Sequence, residues 1–293
     1  MTAPTTETTL EELLTFIRDT RGFDFTGYKR SSIERRIAKR MGDLGVERYD
    51  DYVDHLELHP EEFAQLFNTI LINVTGFYRD PPTWELLAQE VIPELIARRP
   101  SDAPLRVWCA GVASGEEAYT VAMLLVGVLG EQGFRDRVKI YATDADEEAL
   151  DQARAAAYAP RAVEGLPPAA LNEFFERTDQ RYVFRKDLRR SVIFGRNDLT
   201  QDAPISRIDL LVCRNTLMYF NAETQERILR RFHFGLDPDG VLVLGKSEML
   251  LSHGNLFAPV DLKRRMFRKV ARVVSNGNAP YADPPQPPAR PEL

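Results

Sequence analysis

Two adjacent carboxylates, Glu116 and Glu117, follow a turn of small residues, Gly111-Val112-Ala113-Ser114-Gly115, which itself follows the apolar run Leu105–Cys109. A strand, a tight glycine-bearing turn and a helix N-terminus form a recurrent cradle for nucleotide-like cofactors. Phosphate sites of this kind aim backbone N–H groups at an anion. Carboxylates are stable at a helix start, but here they would repel a pyrophosphate. The pair therefore suits a ligand with a cationic centre and neutral hydroxyls, and S-adenosylmethionine, with its sulfonium, amino group and ribose, is such a molecule. At any single Gly-rich turn a plainer reading competes, that of an acid-capped helix in an ordinary βα unit. Asp144, ending the run Val138–Thr143, adds a carboxylate able to accept from both ribose hydroxyls. Acids also commonly cap helices, so Asp144 alone is weak evidence.

These residues need a scaffold, and the chain from Leu105 onward supplies a strand–helix rhythm. Strands are expected at Leu105–Cys109, Val138–Thr143, Val192–Gly195, Ile208–Cys213, Val241–Leu244 and near Met266–Val270. Helices are expected from Glu117 to Leu129, from about Glu147 to Ala157, and after Asn221, with Ile228, Leu229, Phe232 and Leu236 inward. Such alternation predicts an α/β domain with a mostly parallel, Rossmann-like sheet. Residues 158–191 break the rhythm and read as a small inserted β-subdomain, with Arg181–Lys186 as one hairpin arm and Arg189–Val192 starting the return.

Ahead of the sheet, residues 1–72 read as an all-helical domain. Thr8-Thr9-Leu10-Glu11-Glu12 contains Thr-x-x-Glu twice, a capping-box pattern. A second helix, Lys29 to about Met41, buries Ile33 and Ile37 and carries Lys29, Arg30, Arg35, Arg36, Lys39 and Arg40 against Glu34 alone. That excess is either a solvated face or a docking surface for an acidic partner. Residues 73–100 are a linker: a polar, aromatic and Pro-containing loop, Asn73–Pro82, then a helix through Trp84, Leu87, Val91 and Leu95 that Pro93 is expected to kink. The sheet domain occupies 101–272, and the Pro-rich 273–293 is expected to be a disordered tail.

Composition narrows the function classes. The 293 residues are 44% hydrophobic with a net charge of −6, enough for sizeable cores and unsuited to nonspecific nucleic-acid binding. No run of eighteen apolar residues marks a membrane span, and the Thr-rich, polar N-terminus is unlike a signal peptide. Cys109 and Cys213 lack zinc-type spacing, so no metal site is expected and the thiols should be reduced, as in a cytoplasmic protein. Gly240-Val241-Leu242-Val243-Leu244-Gly245-Lys246-Ser247 matches the phosphate-loop expression literally. Its four central residues, however, are a strand whose N–H groups belong to a sheet ladder, so nucleotide triphosphate binding is not expected.

Taken together, Asn73–Pro81, Arg106–Tyr119, Tyr141–Asp146, Cys213–Phe220, Gly245-x-Ser247-Glu248 and the basic helix starting Tyr28-Lys29-Arg30 resemble the CheR-type chemoreceptor glutamate methyltransferases. The likeness runs from roughly residue 10 to 270, in order and at comparable spacing. It implies S-adenosyl-L-methionine as cofactor, S-adenosyl-L-homocysteine as product, and glutamate side chains on the cytoplasmic helical bundle of a chemoreceptor as methyl acceptors. By the resemblance, Asn73, Thr75 and Arg79 close over the cofactor. Gly111 and the acidic pair Glu116 and Glu117 lie along it, one of the two making the key contact. Asp144 takes the ribose, Asn197 and Asp198 border the adenine, and Arg214, Asn215 and Tyr219 lie at the mouth, where Arg214 and Asn215 also bind the cofactor. Arg79 and Tyr219 are then the catalytic candidates, and Lys29, Arg36, Lys39 and Arg40 the substrate-docking ones.

The departures from the family pattern are small-for-small exchanges at Val112–Ser114, Ala118 and Thr216. They leave a side-chain hydroxyl contact at position 113 in doubt. The short insert hairpin, taken as Arg177–Val192, points to receptor recognition without a pentapeptide tether. No nucleic-acid partner or membrane insertion is implied. A glutamate is already ionised at neutral pH (reference value about 4.3), so its methylation needs alignment rather than a general base. The alternative is a non-catalytic S-adenosylmethionine-binding regulator or scaffold.

Overall fold

The computed structural model describes residues 8–71, 73–248, 250 and 255–271, so the first seven residues and the 273–293 tail lie outside the described residues. Four helices come first: α1 (Leu10–Arg21), α2 (Arg30–Leu44), α3 (Tyr49–Leu58) and α4 (Glu62–Ile70). Of the two capping patterns, the one used is Thr9 with Glu12, whose side chain returns a bond to the Thr9 N–H. Helix α2 runs slightly past the expected Met41 and stops where Gly45 adopts φ 72°.

The main sheet comprises β1 (Leu105–Ala110), β2 (Val138–Asp144), β6 (Val192–Arg196), β7 (Ile208–Cys213), β8 (Leu236–Leu244), β9 (Phe257–Asp261) and β10 (Met266–Lys269). The remaining strands, β3 (Ala157–Tyr158), β4 (Phe175–Arg177) and β5 (Tyr182–Phe184), form a separate small sheet in the order β3-β5-β4. The main order is β6-β2-β1-β7-β8-β10-β9, parallel through β8 and antiparallel beyond it. This is the predicted Rossmann-like α/β architecture. The strand order reverses between β1 and β7, so a crevice opens at their carboxyl ends, where open α/β sheets bind ligands.

Strand β1 shows how the two cores are built. Val107 and Cys109 face one core with the helix Glu116–Arg137, while Trp108 and Ala110 face the other. That second core is continuous with α1–α4, through Phe25, Ile33 and Leu66. Trp108 donates to Thr143 Oγ1 at 2.9 Å and meets Phe232 edge-on at 5.4 Å. The helical segment is also tied on by its backbone: Tyr28 bridges Phe220, Lys29 N–H donates to Tyr219 O, and Asn221 N–H donates to Gly27 O, the last two at 2.9 Å.

Several expectations need correction. The helix after the cradle breaks where it was expected to end, at Gly130 (φ 72°) just past Leu129; what was not foreseen is a second helical stretch beyond the break that carries on to Arg137. At the expected kink the turn before Pro93, Leu87–Val91, widens to a π-helix, since proline has no N–H to return to that turn. The hairpin of the insert pairs Phe175–Arg177 with Tyr182–Phe184, so its second arm comes from upstream, and Lys186–Arg189 is a helical turn rather than part of a return strand. Strand β9, with Pro259 on a sheet edge, was not foreseen; its short mixed pattern lacks alternation. Val241–Leu244 lie buried in β8 between β7 and β10, so the phosphate-loop pattern is indeed a strand.

Candidate active site

The cradle is shaped by backbone conformations that few residues accept. Gly111 sits at φ 77°, and a Cβ there would collide with the Thr216 side chain. Ala113 also has positive φ (46°), and its N–H donates to Asp144 Oδ2 at 2.8 Å. Asp144 Oδ1 accepts from Asp146 N at 3.0 Å, so the carboxylate at the end of β2 organises both neighbouring turns. Burial pushes the Asp144 carboxyl up, opposed by those backbone N–H bonds.

The two glutamates part ways. Glu116 is buried against the Ser114 hydroxyl, which donates to it at 2.8 Å, and does not line the cleft. Glu117 does line it. Glu117 Oε2 accepts from Arg214 at 3.3 Å, whereas its Oε1 is buried without a hydrogen-bond partner among the described residues. Burial pushes the Glu117 carboxyl up to about 7; Arg214 opposes this and the nearby Glu248 adds to it. Buried Arg214 also holds Asp80 at 2.7 Å and lies 4.7 Å over the Trp84 ring, leaving its Nε unpartnered among the described residues. Its role is therefore largely to bind the linker to the sheet. Lys246, the lysine of the false phosphate loop, joins the same cluster by pairing with Asp80.

The linker forms one wall. Asn73 donates to Asp146 at 2.6 Å, exposed Arg79 donates to Val74 O at 3.0 Å, and Trp84 Nε1 anchors the Arg79 carbonyl at 2.7 Å. Thr75 lines the same wall. From the sheet domain, Asn197 N–H donates to Asp144 O at 2.9 Å, and Asp198 spends one oxygen on Thr200. Asn215 adopts φ 59°, and Tyr219 stands on the short helical turn Leu217–Tyr219. Thus Asn73, Thr75, Arg79, Gly111, Glu117, Asp144, Asn197, Asp198, Arg214, Asn215 and Tyr219 converge on one cleft, and Glu116 does not.

Sequence reasoning missed Tyr28, Leu199 and Thr216 in that lining. Tyr28 comes from the helical segment, and the nearby charges of Asp144 and Asp198 add to the burial that pushes its phenol up. Only the glycine beside Thr216 carried any signal; nothing in the pattern around Tyr28 distinguishes a pocket aromatic from a packing one. The docking candidates do not form one free face. Lys29 and Lys39 are exposed. Arg36 donates to the Ile70 carbonyl and lies 5.5 Å over the Tyr219 ring, and Arg40 clasps Glu62 at 2.6 and 2.5 Å.

Known protein families match this chain along nearly its whole described length. Residues 73–266 match the CheR methyltransferase SAM-binding domain, and residues 8–71 match the CheR methyltransferase all-alpha domain. The chain belongs to the CheR methyltransferase family. A chemotaxis protein methyltransferase of Escherichia coli K12 is 34% identical over 235 residues, covering 78% of this chain and 79% of that one. One of Listeria innocua is 32% identical over 231 residues, covering 79% and 86%. An uncharacterized 104.1 kDa protein of Rhodobacter capsulatus is 37% identical over 273 residues, 91% of this chain but only 28% of that much longer one. The chain is thus an S-adenosylmethionine-dependent methyltransferase, and the cleft fits that cofactor. A buried, half-satisfied Glu117 suits a cationic group, Asp144 suits ribose hydroxyls, and the turn at Gly111 excludes a side chain where a ligand must approach.

Proposed function

We propose that the protein esterifies glutamate side chains on the cytoplasmic helical bundle of a chemoreceptor. The observation that carries this reading is that Arg79 and Tyr219 line the same cleft as Glu117 and Asp144. The names of the relatives, chemotaxis protein methyltransferases, support it. Bound, the cofactor supplies a methyl group on a sulfonium centre, which needs no further activation. Glu117 would hold its amino-acid end by charge, Asp144 its ribose, and Asn197 with Asp198 the adenine side. Arg79 can grip an incoming carboxylate through paired N–H groups, and the Tyr219 hydroxyl can donate one more bond. Such alignment of two reactants can lower a barrier by about 7–11 kcal/mol.

The acceptor is ionised at neutral pH, so no side chain has to remove a proton. Arg79 is exposed and spends one N–H on Val74 O, which leaves donors available at the mouth. Exposed Lys29 and Lys39 would steer an acidic helical bundle. The hairpin β4–β5, with arms of three residues each, supports recognition without a pentapeptide tether. A cytoplasmic location goes with this reading; among the described residues no helix is long and apolar enough to cross a membrane. Incubation with methyl-labelled cofactor and receptor cytoplasmic fragments should yield a base-labile methyl ester. Cofactor binding with no ester on receptor or any other protein would instead identify a regulator.

A further inference from the structure

Glu248 follows β8 and is only 4% exposed, yet among the described residues no cationic side chain pairs with it. Both carboxylate oxygens accept backbone N–H bonds instead. Oε1 accepts from Thr216 at 2.8 Å and Leu217 at 2.7 Å; Oε2 accepts from Asn215 at 3.1 Å and Gly245 at 2.6 Å. Successive N–H groups converging on one anion form a backbone nest, normally filled by a ligand; here the protein fills it from within. The nest includes Asn215 at φ 59°, a conformation uncommon for a non-glycine residue. The turn that bears Tyr219 is built on the same residues, since Tyr219 N–H donates to Thr216 O at 3.2 Å and Phe220 N–H to Leu217 O at 3.1 Å. Gly245 makes room for the arrangement: a Cβ there would lie 2.8 Å from Asn215 N and 3.0 Å from Glu248 Oε2.

We infer that Glu248 is a positioning residue for the methyl-transfer site, setting Asn215 for the cofactor and Tyr219 for the acceptor by holding the amides of residues 215–217. The Tyr219 half rests on the proposed function; the Asn215 half does not. The chemistry demands a carboxylate. In glutamine one oxygen becomes an NH₂ donor, and whichever way it turns it faces two N–H donors. Aspartate falls one methylene short of the four amides.

The test compares Glu248→Gln with wild type in the full chain. Amides 215–217 should exchange slowly in wild type and rapidly in the variant, with the rest of the sheet unchanged. S-adenosylhomocysteine affinity, measured by calorimetry, should fall by about tenfold to a hundredfold, the size expected when charge-assisted hydrogen bonds are lost. The turnover number should drop with the acceptor KM unchanged. Leu229→Ala, which opens a cavity in the core away from the cleft, serves as a control: it should lower the melting temperature and leave product affinity intact. Unchanged product affinity in Glu248→Gln, or an equal loss in Leu229→Ala, would overturn the inference. Product binding involves no acceptor, so failure of the glutamate reading would be seen separately. Should the variant not fold, wild-type exchange decides: slow amides at 215–217 support the clamp and fast ones refute it.

Discussion

The cofactor cradle and helix α2 each concentrate charge of one sign, and they use it in opposite ways. In the cradle, Glu117, Asp144 and Asp198 are buried or half-buried and held by backbone N–H groups and one internal arginine. Their charge acts at contact distance and only on a ligand that fits. On α2 much of the apparent surplus is already used, with Arg30 on Glu11, Arg36 on a carbonyl and Arg40 on Glu62. What reaches solvent is Lys29, Arg35 and Lys39, whose field is long-ranged, unspecific and screened by salt. Clustered charge in a sequence therefore announces two different things, and burial decides which.

The contrast can be broken or sharpened by substitution, and the largest effect should come from Arg214. Arg214→Met would leave buried Glu117 without its partner and half-buried Asp80 with Lys246 alone, and denaturant titration should show a loss of about 3–5 kcal/mol. An unchanged midpoint would mean the cluster is not the buried ion network described. Gly111→Ala forces a side chain into positive φ and against Thr216. The conformational term alone costs about 1–2 kcal/mol, and calorimetry should detect no cofactor binding.

Glu117→Gln probes the cradle through pH. The wild-type carboxyl titrates at about 7, above its ordinary 4.5, so it becomes neutral as pH falls below about 7. Affinity for the cationic cofactor should then decline with falling pH, by at most about tenfold per unit. Stability of the ligand-free protein should move the other way. A raised carboxyl means the folded chain binds more protons, so the contribution of Glu117 is full below its unfolded value and is lost as pH rises to about 7. The glutamine variant should flatten both profiles; a pH dependence that survives it would assign the titration elsewhere.

The smallest effects belong to α2. Arg40→Ala should cost about 1–3 kcal/mol by leaving Glu62 short of its partner, with cofactor affinity unaltered. Lys39→Glu should change stability by less than about 0.5 kcal/mol and slow receptor methylation at low salt, the difference closing as salt rises. If Lys39→Glu matched Arg40→Ala in stability, the division between internal and steering charges on this helix would fail.

Much of this molecule could be read from residue order. The parallel strands were legible because buried strands are nearly continuous apolar runs, and the cradle because small residues and glycine interrupt one such run before an acidic helix start. Roles that depend on facing direction were not legible. Glu116 and Glu117 are adjacent and chemically identical, and only the helix orientation turns one into the cleft. Arg36 and Arg40 look like Lys39 until Ile70 and Glu62, 34 and 22 residues away along the chain, are seen to receive them. Tyr28 enters the cleft through a contact with Phe220 that lies nearly two hundred residues downstream, and no local pattern encodes that meeting. The insert was misread for a related reason: its true second arm, Phe175–Arg177, is three residues long and follows directly from a helix.

Strand β1 packs one side chain toward each core in turn, and the core behind Trp108 includes α1–α4. The matched families divide at residues 71 and 73, yet the described protein has no such seam in its hydrophobic interior. It should melt in one calorimetric event, and an excised sheet domain would expose the apolar underside of its own central strands and precipitate. Whatever binds the helical segment thereby pulls on the same cooperative unit that cradles the methyl donor.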